Sequence, residues 1–261
     1  MRRFVRNGKS IGEIVYKNKN KNVVIEKIQD GTDDDKCYII GTGYSLSVDD
    51  KDLVSLHDPF MDKFSIDIDK SITAFSFYFT FESSGLEESS RELATFISKL
   101  DSKYKKNYLI GQSKCGVCAY NASHYCEKNI TLVTISAPFK GTPTADKNCV
   151  KKLLKRNILR LFYDNMFSNH NVDKDIIPNS KFLNNLEKPK YLEHINIMSK
   201  LCKIKNISDF FLYFWDKSLK LNGDGVVPYD SQNIDSTRSV TIDSSHAHSL
   251  ENGIRELEKM V

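Results

Sequence analysis

Apolar positions along this 261-residue chain follow two alternating rhythms. Short runs rich in Ile, Val, Phe, Tyr and Thr predict strands at 11–17, 22–28, 37–40, 72–81, 108–110, 130–135, 194–198 and 239–242. The first two flank a Lys/Asn-rich turn and read as a β-hairpin. Between later strands the spacing becomes helical. Leu93, Phe96, Ile97 and Leu100 share a face over 89–100, a helix follows at 117–127, and Leu250, Ile254, Leu257 and Val261 form a stripe at the C-terminus. Strands separated by helices imply an α/β architecture: a mostly parallel sheet with helices on both faces, in one domain spanning 1–261.

Two segments depart from that rhythm. From Pro143 to Tyr191 the chain is longer than a crossover needs, and an insertion is expected at about 144–190. Within it, Leu153, Leu154, Ile158, Leu161 and Phe162 line one side of a helix-like stretch, opposite Lys151, Lys152, Lys155, Arg156 and Arg160. Such a stripe fits a surface helix with a solvated basic face, or a lid able to touch a lipid surface. The other segment is the run Phe210-Phe211-Leu212-Tyr213-Phe214-Trp215, which either packs in the core or walls an apolar pocket.

Composition narrows the class. A hydrophobic fraction of 40% and a charged fraction of 28% describe an ordinary globule, and the +4 net charge is dispersed, which argues against a nucleic-acid partner. Six cysteines occur, and their only close pair, Cys115 and Cys118, has no second pair to complete a metal site. No metal and no cofactor are therefore expected. The first residues lack the apolar core of a secretory signal, and no run reaches the ~18 apolar residues of a membrane span. With reduced-looking cysteines, this favours a cytoplasmic protein over a secreted mature form.

Chemistry concentrates in three places. Tyr108-Leu109-Ile110-Gly111-Gln112-Ser113-Lys114-Cys115-Gly116 runs from a buried strand into a helix, with Ser113 at the turn. Tight strand–turn–helix geometry crowds the positions two before and two after that serine. Gly111 fits the first, Cys115 fits the second less comfortably, and Gly116 comes one place late. Further on lie Pro138-Phe139-Lys140-Gly141-Thr142-Pro143, then Asn222-Gly223-Asp224-Gly225-Val226-Val227-Pro228, and finally Ser244-Ser245-His246-Ala247-His248-Ser249-Leu250.

Taken in order, these motifs resemble those of the α/β-hydrolase superfamily, in particular bacterial triacylglycerol lipases and esterases and inositol-deacylase-like serine hydrolases. The resemblance covers roughly residue 37 to the C-terminus and implies an α/β-hydrolase fold with a helical lid or cap. It also implies a serine hydrolase of carboxylic esters acting through an acyl-enzyme, with a small acyl ester or lipid as its partner. Ser113 would be the nucleophile, activated by a histidine that Asp224 orients. The order serine, acid, histidine is that of this superfamily. His246 and His248 both lie before the last helix. Family spacing to the helix leucine matches His246 to Leu250, so His246 is favoured as base and His248 is the alternative. Two backbone N–H groups would stabilise the oxyanion: Lys114, after the nucleophile, and Thr42 or Gly43 in a glycine-bearing loop at 39–45. Ile40 stands where relatives often carry histidine. Two other readings remain: an acyltransferase or thioesterase on the same triad, and a non-catalytic binding protein of hydrolase descent.

Overall fold

The computed structural model describes residues 2–6, 13–17, 22–46, 64–80, 83–100, 104–126, 130–146, 171–189 and 193–261. The amphipathic stretch at 150–163 lies outside them, as do Cys149, His57 and His170. The strands are β1 (Arg2–Arg6), β2 (Glu13–Lys17), β3 (Val23–Gln29), β4 (Asp33–Leu46), β5 (Phe64–Ile68), β6 (Ile72–Thr80), β7 (Lys106–Gln112), β8 (Ile130–Ile135), β9 (Glu193–Lys200) and β10 (Arg238–Asp243). The helices are α1 (Leu86–Leu100), α2 (Lys114–His124), α3 (Asn171–Asp175), α4 (Lys181–Asn184), α5 (Ile207–Leu219) and α6 (Ser249–Met260), with short 3₁₀ turns between them.

Eight strands form one sheet in the order β10-β9-β8-β7-β4-β6-β3-β2. β3 pairs antiparallel with β2 and β6, and every other pairing in this sheet is parallel. The expected hairpin is present as β2 and β3. β1 and β5 form a separate antiparallel ribbon that the sequence pattern did not suggest.

Period-two alternation on the central strands explains the two-faced core. Ile39, Leu109 and Leu132 point to one side, where Leu93, Phe96 and Ile97 of α1 and Val117 and Ala119 of α2 bury them. Tyr38, Ile40, Tyr108, Ile110 and Val133 point to the other, against Leu250, Ile254 and Leu257 of α6. Parallel strands covered on both faces need near-continuous apolar runs, which is what 37–40, 108–110 and 130–135 supply.

β4 departs from expectation. It does not end after Ile40 in a loop but continues to Leu46. Its register against β6 jumps between Gly41, opposite Phe77, and Ser45, opposite Phe79, so residues 42–44 face Tyr78 alone. The expected turn is thus a bulge within a longer strand. A Cβ at Gly41 would stand 2.1 Å from the buried Phe77 ring, so any side chain there forces the ring to shift. Gly41→Ala should therefore destabilise by about 1–3 kcal/mol through overpacking. Urea unfolding would show this as a lower midpoint at unchanged slope, and an unchanged midpoint would contradict the account.

Candidate active site

At the end of β7 the chain reverses into α2 within one residue. Ser113 occupies that turn with φ 56° and ψ −132°, a strained region for a non-glycine residue. Two backbone bonds hold it there. Ser113 N donates to Ile135 O of β8 at 2.9 Å, and Gly116 N donates to Ser113 O at 2.9 Å. The fold-back brings α2 so close to β7 that a Cβ at Gly111 would lie 2.4 Å from the Cys115 carbonyl oxygen and 2.6 Å from the Gly116 Cα. A Cβ at Gly116 would lie 2.6 Å from that of Ala137. Gly116 is therefore the position that must be small, and Cys115 has room to carry a side chain. Ser113 itself is half-buried and reachable by solvent.

The Cys115 thiol is fully buried and donates to the Thr42 carbonyl at 2.8 Å. Burial raises its pKa well above the ordinary thiol value, so it keeps the proton it donates. Ile40 packs in the core rather than bracing the bulge, and the Cys115 contact ties the bulge to α2 instead. Lys114 begins α2, with its backbone N–H at the positive end of the helix dipole. Its ammonium forms a largely buried ion pair with Asp173 of α3 at 2.8 Å.

The acid turn follows α5. Asp224 is fully buried, and every contact it makes favours a carboxylate. Oδ1 accepts from the Val226 and Val227 backbone amides at 3.0 and 2.8 Å. Oδ2 accepts from Ser199 Oγ at 2.9 Å and lies 2.8 Å from His246 Nδ1. Burial pushes the Asp224 carboxyl upward, but the imidazole beside it and the two amides outweigh that, and the net pKa falls below the ordinary value. His246 is also fixed through its backbone, its N–H donating to Asp224 O at 2.8 Å.

Gln112 links the two halves. Its Nε2 donates to His246 O and to Ser249 Oγ, both at 2.9 Å. The residue immediately before Ser113 is thus bonded to the turn that carries His246. Ser113, Asp224 and His246 all lie beyond the carboxyl ends of parallel strands, where ligand sites of α/β sheets form. His248 faces elsewhere: its Nε2 lies 3.0 Å from Asn206 Nδ2 and 3.4 Å from Ser208 Oγ, at the start of α5. His194 is buried against Thr134, and desolvation lowers its pKa to about 4.

Several residues that sequence reasoning missed build this region. Thr142 and Thr144, in the Gly-Thr-Pro turn, both donate to Val226 O, at 2.6 and 3.1 Å. Asp216 accepts from Gly223 N at 2.7 Å, and Ser199 hydrogen-bonds to Ser136 as well as to Asp224. The Gly-Thr-Pro motif pointed to this turn but not to its role as a brace for the acid. Among the described residues, no group of three or more His, Cys, Asp or Glu side chains is placed to hold a metal.

No family model matches this sequence, and no curated protein matches it. Solved structures are similar to it. The mature form of a Bacillus licheniformis lipase superposes with a TM-score of 0.57 at 14% identity, over 99% of this chain and 96% of that one. The propeptide form of the same lipase gives 0.54 at 13% identity, over 99% of this chain and 52% of that one. A metagenomic carboxyl esterase gives 0.50 at 11% identity, over 84% of this chain and 66% of that one. With its mostly parallel eight-stranded sheet, the chain has the α/β-hydrolase fold and resembles bacterial lipases and esterases in structure.

Proposed function

We propose that the chain is a serine hydrolase of carboxylic esters acting through an acyl-enzyme. The observation that carries this reading is the strained Ser113 turn, joined through Gln112 to a histidine bonded to a buried carboxylate. Ser113 Oγ attacks the acyl carbonyl while His246 Nε2 takes its proton. Nδ1–H of the same ring donates to Asp224, which fixes the tautomer and stabilises the imidazolium. The oxyanion accepts from the backbone N–H groups of Lys114 and Thr42, with Gly43 the alternative to Thr42. The intermediate collapses as the imidazolium returns the proton to the departing alcohol. Water, deprotonated by the same imidazole, then attacks the acyl-serine, and the acid leaves as Ser113 regains its proton. The similarity in fold to lipases and esterases supports an ester substrate, and the engagement of His248 with Asn206 supports His246 as base.

Turnover of short p-nitrophenyl esters tests these roles. Ser113→Ala and His246→Ala should each lower kcat by about 10⁴-fold or more. His248→Ala should retain most activity. Loss of activity in His248→Ala with retention in His246→Ala would exchange the two roles, and wild-type-like turnover by Ser113→Ala would remove the central claim.

Asp224→Asn should lower kcat on the order of 10⁴-fold, since an amide cannot hold the same tautomer. It should also change the pH dependence of stability. The folded pKa of Asp224 lies below its unfolded value, so its ionisation stabilises the fold fully above the ordinary carboxylate range. That contribution disappears as pH falls through the folded pKa, in the acid range below about 4. Urea midpoints measured from pH 7 downward should show the wild-type advantage over Asp224→Asn shrinking only in that range. A constant gap at all pH values would contradict it.

A further inference from the structure

α5 buries an apolar side, and its outer side also carries exposed aromatic residues. Leu212, Trp215 and Leu219 are buried, and Leu212 packs with Leu201, Val226 and Val227 beneath the acid turn. One helical turn apart on the outer side, Phe210 and Phe214 are 44% and 48% exposed, with ring centroids 4.7 Å apart. Ile204, in the loop leading into the helix, is 47% exposed. Three of the six large hydrophobic residues exposed among the described residues thus fall within 204–214. Water gains nothing from an exposed aromatic pair, and concentrated apolar surface of this kind marks an interaction site.

Within residues 203–220 the exposed charges are basic, while Asp243, paired with Lys205, and Glu251 lie at the edge of the patch. The acidic residues of this segment, Asp209 and Asp216, are buried and turned inward. Asp209 accepts from Lys205 N and Ser245 Oγ, and Asp216 accepts from Gly223 N. The lysines are outside. Lys203, Lys217 and Lys220 are exposed, and Lys205 pairs with Asp243. An aromatic strip rimmed by lysines matches the boundary of an anionic lipid layer, where rings sit among headgroups and ammonium groups meet phosphates. A second copy of this chain fits less well, because a two-fold contact through this face would bring lysines toward lysines.

We propose that α5 and its approach loop form a docking face for an anionic lipid surface. Docked there, the protein would hold the acid turn about one helix diameter, ~10 Å, from the lipid. Lipid docking of this kind does not require hydrolysis, so it can be measured in a background that removes Ser113.

The test is co-sedimentation of the full chain carrying Ser113→Ala with vesicles of phosphatidylcholine alone or mixed with phosphatidylglycerol. Binding should be strong only with phosphatidylglycerol and should weaken as salt rises. Adding Phe210→Ser and Phe214→Ser should reduce partitioning on the order of tenfold or more. Adding Lys203→Glu and Lys217→Glu instead should reduce it on the order of fivefold per lysine and remove the preference for phosphatidylglycerol. Circular dichroism should be unchanged in all variants, since these side chains are exposed. Equal vesicle binding by parent and variants would overturn the proposal. So would absence of binding together with a concentration-dependent dimer that the Phe variants abolish, which would assign the face to a second copy.

Discussion

The reversal at Ser113 is the constraint on which the rest of the site depends. A strand that becomes a helix within one residue must place that residue at positive φ, at a cost of about 1–3 kcal/mol for a non-glycine side chain. The surrounding structure has to over-determine it. β8 does so by accepting the Ser113 amide, and the near-contact of Gly111 with Cys115 and Gly116 leaves the helix no other path. Once that path is fixed, Cys115 is aimed at Thr42 on one side and Gln112 at the His246 turn on the other. Strain at a single residue thus fixes the spatial relation of four segments distant in sequence.

Asp224 poses the opposite problem. A buried carboxylate without partners would lose several kcal/mol of hydration and would protonate instead. Here two amides, a serine hydroxyl and an imidazole surround it, and their sum exceeds the desolvation that opposes ionisation. The turn that presents these amides is itself held by Thr142, Thr144 and Asp216. The Gly-Thr-Pro segment, which in the sequence reads only as a family signature, therefore positions the backbone that keeps the acid charged.

Much of this was legible in the chain because periodicity reports burial. The apolar runs at 37–40 and 108–110, set between helical stretches, pointed to a sheet covered on both faces, and the order of Ser113, Asp224 and His246 carried the resemblance to α/β-hydrolases. What stayed hidden depends on tertiary geometry. Gln112, Ser199 and Asp216 are polar residues of ordinary sequence context, and nothing local says that their partners lie far along the chain or across a turn. β4 was expected to be short because Gly41, Thr42 and Gly43 read as loop chemistry, whereas pairing with β6 carries the strand through them by bulging. The aromatic run before the acid turn was read as core or as the wall of an apolar pocket, and the exposure of Phe210 and Phe214 was not foreseen. One helix turns Leu212 and Trp215 into the core and leaves Phe210 and Phe214 outward.

The most direct test of the central claim is titration with a fluorophosphonate probe, which phosphonylates only a serine hydroxyl activated by a neighbouring base. The account predicts one equivalent incorporated per chain, located by peptide mass spectrometry on Ser113, with loss of labelling when His246 is replaced by alanine. No incorporation into the folded wild-type protein, or incorporation at another serine, would contradict it.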